Sequence, residues 1–151
     1  TGGRVKRAAS YLGGERFFLT YGDGVADVDI TKLLAFHEKM GRKATMTVVQ
    51  PAGRFGTAEI EAGCVRTFRE KVDSDSGWIN GGFLVLEPSV LPYLKGDETI
   101  LEQEPLSTLA AEGELAAYQH RGFWQCMDTL RDKEKLEQLW KEGAPWRIWE
   151  K

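Results

Sequence analysis

The sequence has few cysteines, little net charge and no long apolar run. Cys64 and Cys126 stand apart and form neither a disulfide framework nor a metal-type pair, which fits a reducing cytoplasm. With 20 basic and 23 acidic residues the net charge is only −3, so no bulk field should recruit nucleic acid or an anionic membrane. We find neither a secretion signal nor an apolar run near the ~18 residues of a membrane span. These absences predict a cytoplasmic protein that binds neither nucleic acid nor membrane.

What the chain does carry is a pattern of alternating strands and helices. Its 151 residues suffice for one domain with a buried core. Asp29 is placed to cap a helix that Gly41 ends, and His37 lies on its apolar face as a histidine at the core margin. A strand at Phe17, this helix and a strand over 44–49 predict a right-handed βαβ unit with a parallel pair of strands.

The second half of the sequence predicts a less regular order of short strands and helices. Short strands around Ala62-Gly63 predict a hairpin, and the Gly81-Gly82 pair predicts a bend in the strand over 78–87. Further helices are predicted over 4–12, 101–112 and 129–141, and further strands over 115–120 and 123–127. Pro105 should lie in the first turn of its helix, and Leu136, Leu139 and Trp140 should face inward from the last helix. The predicted fold class is α/β: a Rossmann-like mixed, mostly parallel sheet flanked by helices, with an inserted antiparallel hairpin.

The stretch from Phe17 to Gly24 is the centre of the prediction. Its apolar run shows no alternation, which is typical of a strand buried on both faces of a parallel sheet. Asp23 follows between two glycines, at a strand end where ligands bind in open α/β sheets. On this segment alone a simple turn at Asp23-Gly24 is the favoured alternative, since Asp-Gly is a common turn dipeptide.

Four polar side chains are expected at strand ends, and together they suggest a chemistry. Asp23 and Asp128 could share one Mg²⁺, and Lys71 could hold a phosphate, with Asn80 nearby. Such a set suits phosphoryl or nucleotidyl transfer, where the protein supplies positioning and charge neutralisation. Each residue also has a structural explanation: Asp128 as a helix N-cap, Lys71 as an exposed strand terminus, and Asn80-Gly81-Gly82 as a bulge.

Several motifs carry a resemblance to a known family. The most specific are Trp78-Ile79-Asn80-Gly81-Gly82 and Met127-Asp128-Thr129-Leu130-Arg131-Asp132; others are Thr1-Gly2-Gly3-Arg4, Leu19-Thr20-Tyr21-Gly22-Asp23-Gly24, Gly53-Arg54-Phe55-Gly56, residues 68–71 and Glu102-Gln103-Glu104-Pro105-Leu106. Over nearly its full length the chain resembles the sugar-nucleotide pyrophosphorylases, which are nucleotidyltransferases acting on sugar 1-phosphates. Within them it is most similar to the branch that transfers a cytidylyl group.

The resemblance implies an activity and a role for each matching residue. The implied reaction is Mg²⁺-dependent: CTP and glucose 1-phosphate give CDP-glucose, of the kind used for lipopolysaccharide O-antigen, and pyrophosphate. A homo-oligomer is also implied. The implied roles are Asp23 and Asp128 as Mg²⁺ ligands, Lys71 on the sugar phosphate, Glu70 on sugar hydroxyls, Gly56, Asn80 and Gly81 lining the hexose pocket, and Arg4 on the nucleotide phosphates.

Departures from the family pattern define further expectations. The usual glycine-rich loop for the triphosphate is not in this sequence, so residues 1–151 should be the C-terminal, sugar-binding and metal-ligand part of one nucleotidyltransferase domain, inactive alone. Val72 and Cys126 replace common prolines. A non-catalytic regulatory or assembly domain, and the same chemistry with UTP, dTTP or GTP, remain open alternatives. The aromatic tail from Trp146 to Trp149 could form an oligomer contact or pack on its own domain.

Overall fold

The fold is that of a computed structural model in which residues 1–51, 57–61, 63–69 and 77–150 are described. The helices are α1 (Gly2–Ala8), α2 (Ile30–Met40), α3 (Glu104–Ala111) and α4 (Leu130–Lys141), with short 3₁₀ segments at Ala9–Tyr11, Pro88–Tyr93 and Ile148–Glu150. The strands are β1 (Phe17–Thr20), β2 (Gly24–Ala26), β3 (Ala44–Val49), β4 (Thr57–Glu61), β5 (Cys64–Arg69), β6 (Ile79–Leu86), β7 (Leu115–Gln119) and β8 (Trp124–Cys126).

The main sheet of the described residues is mixed, in the order β1-β6-β3-β7. Strand β6 runs antiparallel to both of its neighbours, whereas β3 and β7 are parallel. Strands β1, β3 and β7 therefore point the same way. The predicted α/β class with a mixed sheet flanked by helices is confirmed. The predicted parallel orientation of β1 and β3 is present, but the two strands do not pair with each other, because β6 lies between them.

Strand β1 differs from its prediction as a strand buried on both faces. It is an edge strand of the described sheet, and its residues alternate between buried and exposed positions. Phe17 is buried, whereas Phe18 is 47% exposed. The core covers the face with Phe17 and Leu19, whereas the face with Phe18 is open, and the apolar run in the sequence could not reveal this.

Two hydrophobic clusters cover the two faces of β6. One contains Leu84 and Leu86 and is completed by residues of α1, β1, β3, α3 and the segment between β6 and α3. The other contains Val85, with Leu33 of α2 and Val28. Since successive residues of a strand point to opposite faces, this single strand holds both layers of the domain together.

The ends of α2 follow the sequence prediction closely. The Asp29 side chain accepts a hydrogen bond from the Lys32 backbone N–H, and Gly41 ends the helix in the left-handed region at φ 59°. His37 is buried, with Nδ1 2.8 Å from Thr45 Oγ1 and Nε2 3.0 Å from a Glu87 carboxylate oxygen. It is a core histidine whose two ring nitrogens both have partners.

Helix α4 is more exposed than predicted. None of its residues is buried, and Trp140, expected to face inward, is 56% exposed. Its ring instead stacks on Trp146, which also contacts Phe123 with ring centroids 5.5 Å apart. Trp146 therefore packs on its own domain, while Trp149 is 69% exposed.

Two smaller antiparallel ribbons complete the described structure. The predicted hairpin is present as β4 and β5, with Gly63 at φ 80° in its turn. The second ribbon pairs β2 with β8 and was not predicted, because β2 is only three residues long and lies within what the sequence presents as a turn. Within the described residues, no helix is both long and apolar enough to cross a membrane.

Candidate active site

The predicted site residues that are described gather at one edge of the main sheet. Strands β1 and β3 end there, and β6 begins there because it runs in the opposite direction. Asn80, at the start of β6, pairs with Val48 near the end of β3. A carboxyl edge of parallel strands was expected. The actual edge combines two strand ends with one strand start.

The β2–β8 ribbon brings the two aspartates to this edge. Gly24 pairs with Cys126, and the Met127 N–H donates to the Asp23 carbonyl at 2.7 Å. Asp23 directly precedes β2, whereas Asp128 lies two residues beyond β8. The ribbon therefore places both carboxylate-bearing residues at the same end, although they are separated by more than a hundred positions in the sequence.

Asp128 is not the N-cap of α4. Thr129 is the N-cap, and its side chain accepts a hydrogen bond from the Asp132 N–H while the Asp132 carboxylate accepts from the Thr129 N–H. This capping box satisfies the helix start without Asp128. The exposed Asp128 carboxylate instead accepts a hydrogen bond from the Cys126 thiol at 3.1 Å. The structural explanation weighed for Asp128 is thus wrong, and its carboxylate remains available to a ligand.

A cavity of about 360 Å³ joins these elements. Its volume is suited to a small ligand. The lining residues are Thr20, Tyr21, Asp23, Gly24, Pro51, Ile79, Asn80, Gly81, Gly82, Phe83, Trp124, Cys126 and Asp128. Asp23, Asn80, Gly81 and Asp128 were each predicted from the sequence as site residues, and all four share this cavity.

The glycine pair of β6 combines a bulge with a close approach. Pairing with β3 is irregular between Met46 and Val48, opposite the glycines. An added Cβ at Gly81 would lie 3.0 Å from Val49 Cγ1, and one at Gly82, where φ is +81°, would lie 2.8 Å from Tyr21 Cδ2. Because few other residues adopt that φ, Gly82 is fixed by stereochemistry. The bulge and the pocket-lining position are both present here.

Trp124 links the ribbon to the main sheet. Its indole N–H donates to the Gly81 carbonyl at 2.8 Å. This hydrogen bond connects β8, which precedes Asp128, to β6, which carries Asn80. The metal-ligand candidates and the sugar-pocket candidates are therefore held on one framework.

Tyr21 forms the centre of a hydrogen-bond network beside Asp23. Its hydroxyl donates to Glu102 Oε1 at 2.5 Å and accepts from Asn80 Nδ2 at 2.8 Å. Burial, together with the hydrogen bond to Glu102, raises the pKa of the Tyr21 phenol well above its ordinary value. Burial alone would raise the pKa of Glu102 as well, but hydrogen bonds from Thr1 and Tyr21 outweigh it and lower that pKa. The network therefore contains a neutral phenol and an ionised carboxylate.

A second cavity, of about 410 Å³, lies on the other side of Tyr21. It contains Arg4 and Glu102 and shares Thr20, Tyr21 and Asp23 with the first. Arg4, predicted to contact nucleotide phosphates, is thus in the cavity adjoining the aspartates. The two cavities thus adjoin, with Arg4 lining one, Asp128 lining the other and Asp23 lining both.

Helix α1 reaches this position through close backbone packing. The Gly3 N–H donates to the Thr99 carbonyl at 3.0 Å, and a Cβ on Gly3 would lie 1.9 Å from the Asp97 carbonyl oxygen. Arg7 further ties the helix to this loop through a paired ion contact with Asp97. The glycines before Arg4 are therefore required by packing as well as by their match to a motif.

Three predicted site residues, Gly56, Glu70 and Lys71, lie outside the described residues, so their roles stay predictions. The sequence interpretation assigned no role to Tyr21, Glu102 or Trp124. Tyr21 and Glu102 stand within the matching motifs and Trp124 in a predicted strand, but such side chains give no sign of their partners until distant segments are brought together.

The donor set at the edge is compatible with Mg²⁺. Among the described residues no group of three or more histidine, cysteine or acidic side chains could hold a metal on its own. Asp23 and Asp128 nevertheless line one cavity and carry only oxygen ligands. Mg²⁺ is commonly held by one or two carboxylates together with substrate phosphates, so the two residues fit that ion.

Comparison with known proteins identifies the family. The family model described as "Nucleotidyl transferase" matches residues 2–141. The chain belongs to the nucleotidyl transferase family. Its relatives include the glucose-1-phosphate cytidylyltransferase of Salmonella typhi, with 57% identity over 99% of this chain and 59% of the relative. A more distant one is the mannose-1-phosphate guanylyltransferase catalytic subunit beta of Drosophila pseudoobscura pseudoobscura, with 32% identity over 90% of this chain and 38% of the relative.

Solved structures support the fold of this nucleotidyl transferase. A Bacillus anthracis protein assigned as a glucose-1-phosphate thymidylyltransferase superposes with a TM-score of 0.68 over 98% of this chain and 61% of its own, at 17% sequence identity. At that identity the likeness concerns the fold. The chain spans 59% of the length of the cytidylyltransferase that it resembles at 57% identity.

Proposed function

We propose that the chain forms the sugar-phosphate and metal-binding part of an enzyme that converts CTP and glucose 1-phosphate to CDP-glucose and pyrophosphate. The observation that carries this proposal is the shared cavity, where Asp23, Asp128, Asn80 and Gly81 meet. The identity to a cytidylyltransferase, at 57%, supports the choice of base and sugar. The UTP, dTTP and GTP alternatives keep the same transfer chemistry and change only the nucleotide.

The charged and the polar residues of the site would bind different parts of the substrates. Arg4 and Lys71 would hold the phosphates of the two substrates, so that two mutually repelling anions stay within reach of one another. Asn80 and the backbone at Gly81 would bind sugar hydroxyls, together with Gly56 and Glu70. The sugar-phosphate oxygen would then attack the α-phosphorus of CTP in line, and pyrophosphate would leave.

Asp23 and Asp128 would hold Mg²⁺ at the cavity. When bound, that ion would neutralise charge on the nucleotide phosphates. Both aspartates are exposed residues at one end of the β2–β8 ribbon, so their carboxylates can reach a shared ligand without the cost of burying unpaired charge. Retention of both acids argues against a purely regulatory or assembly domain. The homo-oligomer, the cytoplasmic location and the role in O-antigen synthesis stay predictions.

The test is pyrophosphate release by the complete gene product that carries this chain. Glucose 1-phosphate is supplied with CTP, UTP, dTTP or GTP in turn, each with and without Mg²⁺. We expect the rate of pyrophosphate release with CTP to exceed the rate with each of the other three nucleotides by at least about tenfold. Hydrogen bonds that select one base commonly discriminate by more than that factor. Equal release with another nucleotide would change the assignment of the base. No release with any of the four would contradict the proposed activity. The 151-residue chain assayed alone should give no steady release.

A further inference from the structure

We infer that Tyr21 and Glu102 are positioning residues that set the orientation of the Asn80 amide toward the sugar. This rests on the proposed function, and it assigns a role to two residues that would not themselves touch the reacting atoms. Their network runs across the wall between the two cavities, from Glu102 beside Arg4 to Asn80 in the aspartate cavity.

The direction of every hydrogen bond in the network is determined. An ionised carboxylate can only accept, so the Tyr21 hydroxyl must donate its single proton to Glu102. The phenol oxygen is then left as an acceptor for Asn80, and the group that faces it has to be the amide nitrogen Nδ2. The Asn80 carbonyl Oδ1 accepts from the Gly82 N–H at 2.9 Å. The amide is thereby held at both of its ends.

Glu102 is itself held in place. Its second carboxylate oxygen accepts from the Thr1 hydroxyl, and that hydroxyl in turn accepts from the Leu101 N–H at 2.9 Å. The pKa of Glu102 is lowered in this environment, which keeps the carboxylate ionised and the hydrogen-bond direction unchanged near neutral pH. The anchor of the network therefore lies on the segment that packs against α1.

The consequence concerns the part of Asn80 that faces the cavity. An amide nitrogen carries two protons, and Tyr21 accepts one of them. The second is available to an acceptor oxygen in the cavity that Asn80 lines, such as a sugar hydroxyl. A freely turning amide would present its oxygen or its nitrogen in turn. The fixed amide presents a donor, so the network should contribute to affinity for the sugar phosphate and leave the chemical step alone.

The experiment measures KM for glucose 1-phosphate, KM for CTP and kcat in the complete gene product. Tyr21→Phe removes the hydroxyl and keeps the ring against Gly82. We expect a threefold to tenfold rise in KM for glucose 1-phosphate, about the effect of one buried hydrogen bond, with KM for CTP and kcat within about twofold of wild type. Tyr11→Phe is the matched control, because Tyr11 is 90% exposed.

Two variants of Glu102 separate orientation from charge and from packing. Glu102→Leu removes the acceptor and should raise KM for glucose 1-phosphate as Tyr21→Phe does. Glu102→Gln keeps a carbonyl acceptor for Tyr21, and its amide can donate to Thr1, so it should recover most of that loss. An equal loss with Gln and Leu would overturn the inference, as would a parallel fall of kcat and of affinity for both substrates.

The outcomes also separate the inference from the proposed function. A wild-type enzyme that releases no pyrophosphate overturns the proposed function, and the inference falls with it. An active wild type whose Tyr21→Phe variant keeps its KM for glucose 1-phosphate overturns the inference alone.

Discussion

Gly82 combines a pattern visible in the sequence with a requirement that only the folded chain explains. The sequence marks the Gly81-Gly82 pair as a bend in a strand. The structure adds that Gly82 has φ +81° and that the Tyr21 ring lies where a side chain would be. A single position thus sets both the bulge of β6 and the place of the phenol that binds Asn80.

We therefore expect Gly82→Ala to destabilise the fold strongly. The left-handed backbone and the approach of the added Cβ to Tyr21 should together lower the free energy of unfolding by about 2 kcal/mol or more. Urea unfolding followed by circular dichroism would measure it. Gly96→Ala is the matched control, since a Cβ there meets nothing within 4 Å and needs no positive φ. Equal unfolding free energies for the two variants would contradict this account of Gly82.

Individual elements were more predictable than their pairing. The Asp29 cap, the Gly41 stop and Pro105 in the first turn of α3 are local signals, and each is confirmed. The insertion of β6 between β1 and β3 depends on contacts between distant segments, which periodicity cannot show. Strand β2 was missed for a related reason, because three residues become a strand only through pairing with β8.

The start of α4 gives a test at the scale of one element. We expect Thr129→Ala to remove the capping box and speed hydrogen exchange of the first-turn amides, above all that of Asp132, by roughly fivefold for a cap worth about 1 kcal/mol. Asp128→Ala should leave those rates within about twofold, because the cap does not use Asp128. Amide hydrogen exchange measured by NMR in the two variants would show which residue caps the helix. The opposite ranking of the two variants would return Asp128 to the role of a helix cap.

At the scale of the whole molecule, one ion network joins both layers. Arg16 contacts Glu38 of α2 at 2.7 Å and Glu87, just after β6, at 2.6 Å. Burial tends to raise the pKa of Glu87, but hydrogen bonds from His37 and Arg16 outweigh it and lower that pKa below the ordinary 4.5. A carboxylate with a lowered pKa in the folded state stabilises the fold above pH 4.5, and this contribution is lost as the pH falls through its folded value.

We therefore expect Glu87→Gln to reduce stability in a pH-dependent way. At pH 7 the variant should unfold with a free energy about 1 kcal/mol or more below wild type, because charge-assisted hydrogen bonds are lost. At acid pH the difference should shrink, since wild type then loses the same charge. Urea unfolding at several pH values would check this, with the exposed Glu15→Gln as control. A difference that stays constant with pH would contradict the assignment.

The central claim is that Asp23 and Asp128 bind one divalent cation, after the β2–β8 ribbon brings them together from distant parts of the sequence. A double-mutant cycle on pyrophosphate release by the complete gene product tests it most directly. Asp23→Asn and Asp128→Asn should each lower kcat by roughly 100-fold or more. The kcat of the double variant should be at most about threefold below that of the less active single variant, as for residues that act as a unit. Losses that multiply in the double variant, or a near-wild-type kcat in either single variant, would contradict the claim.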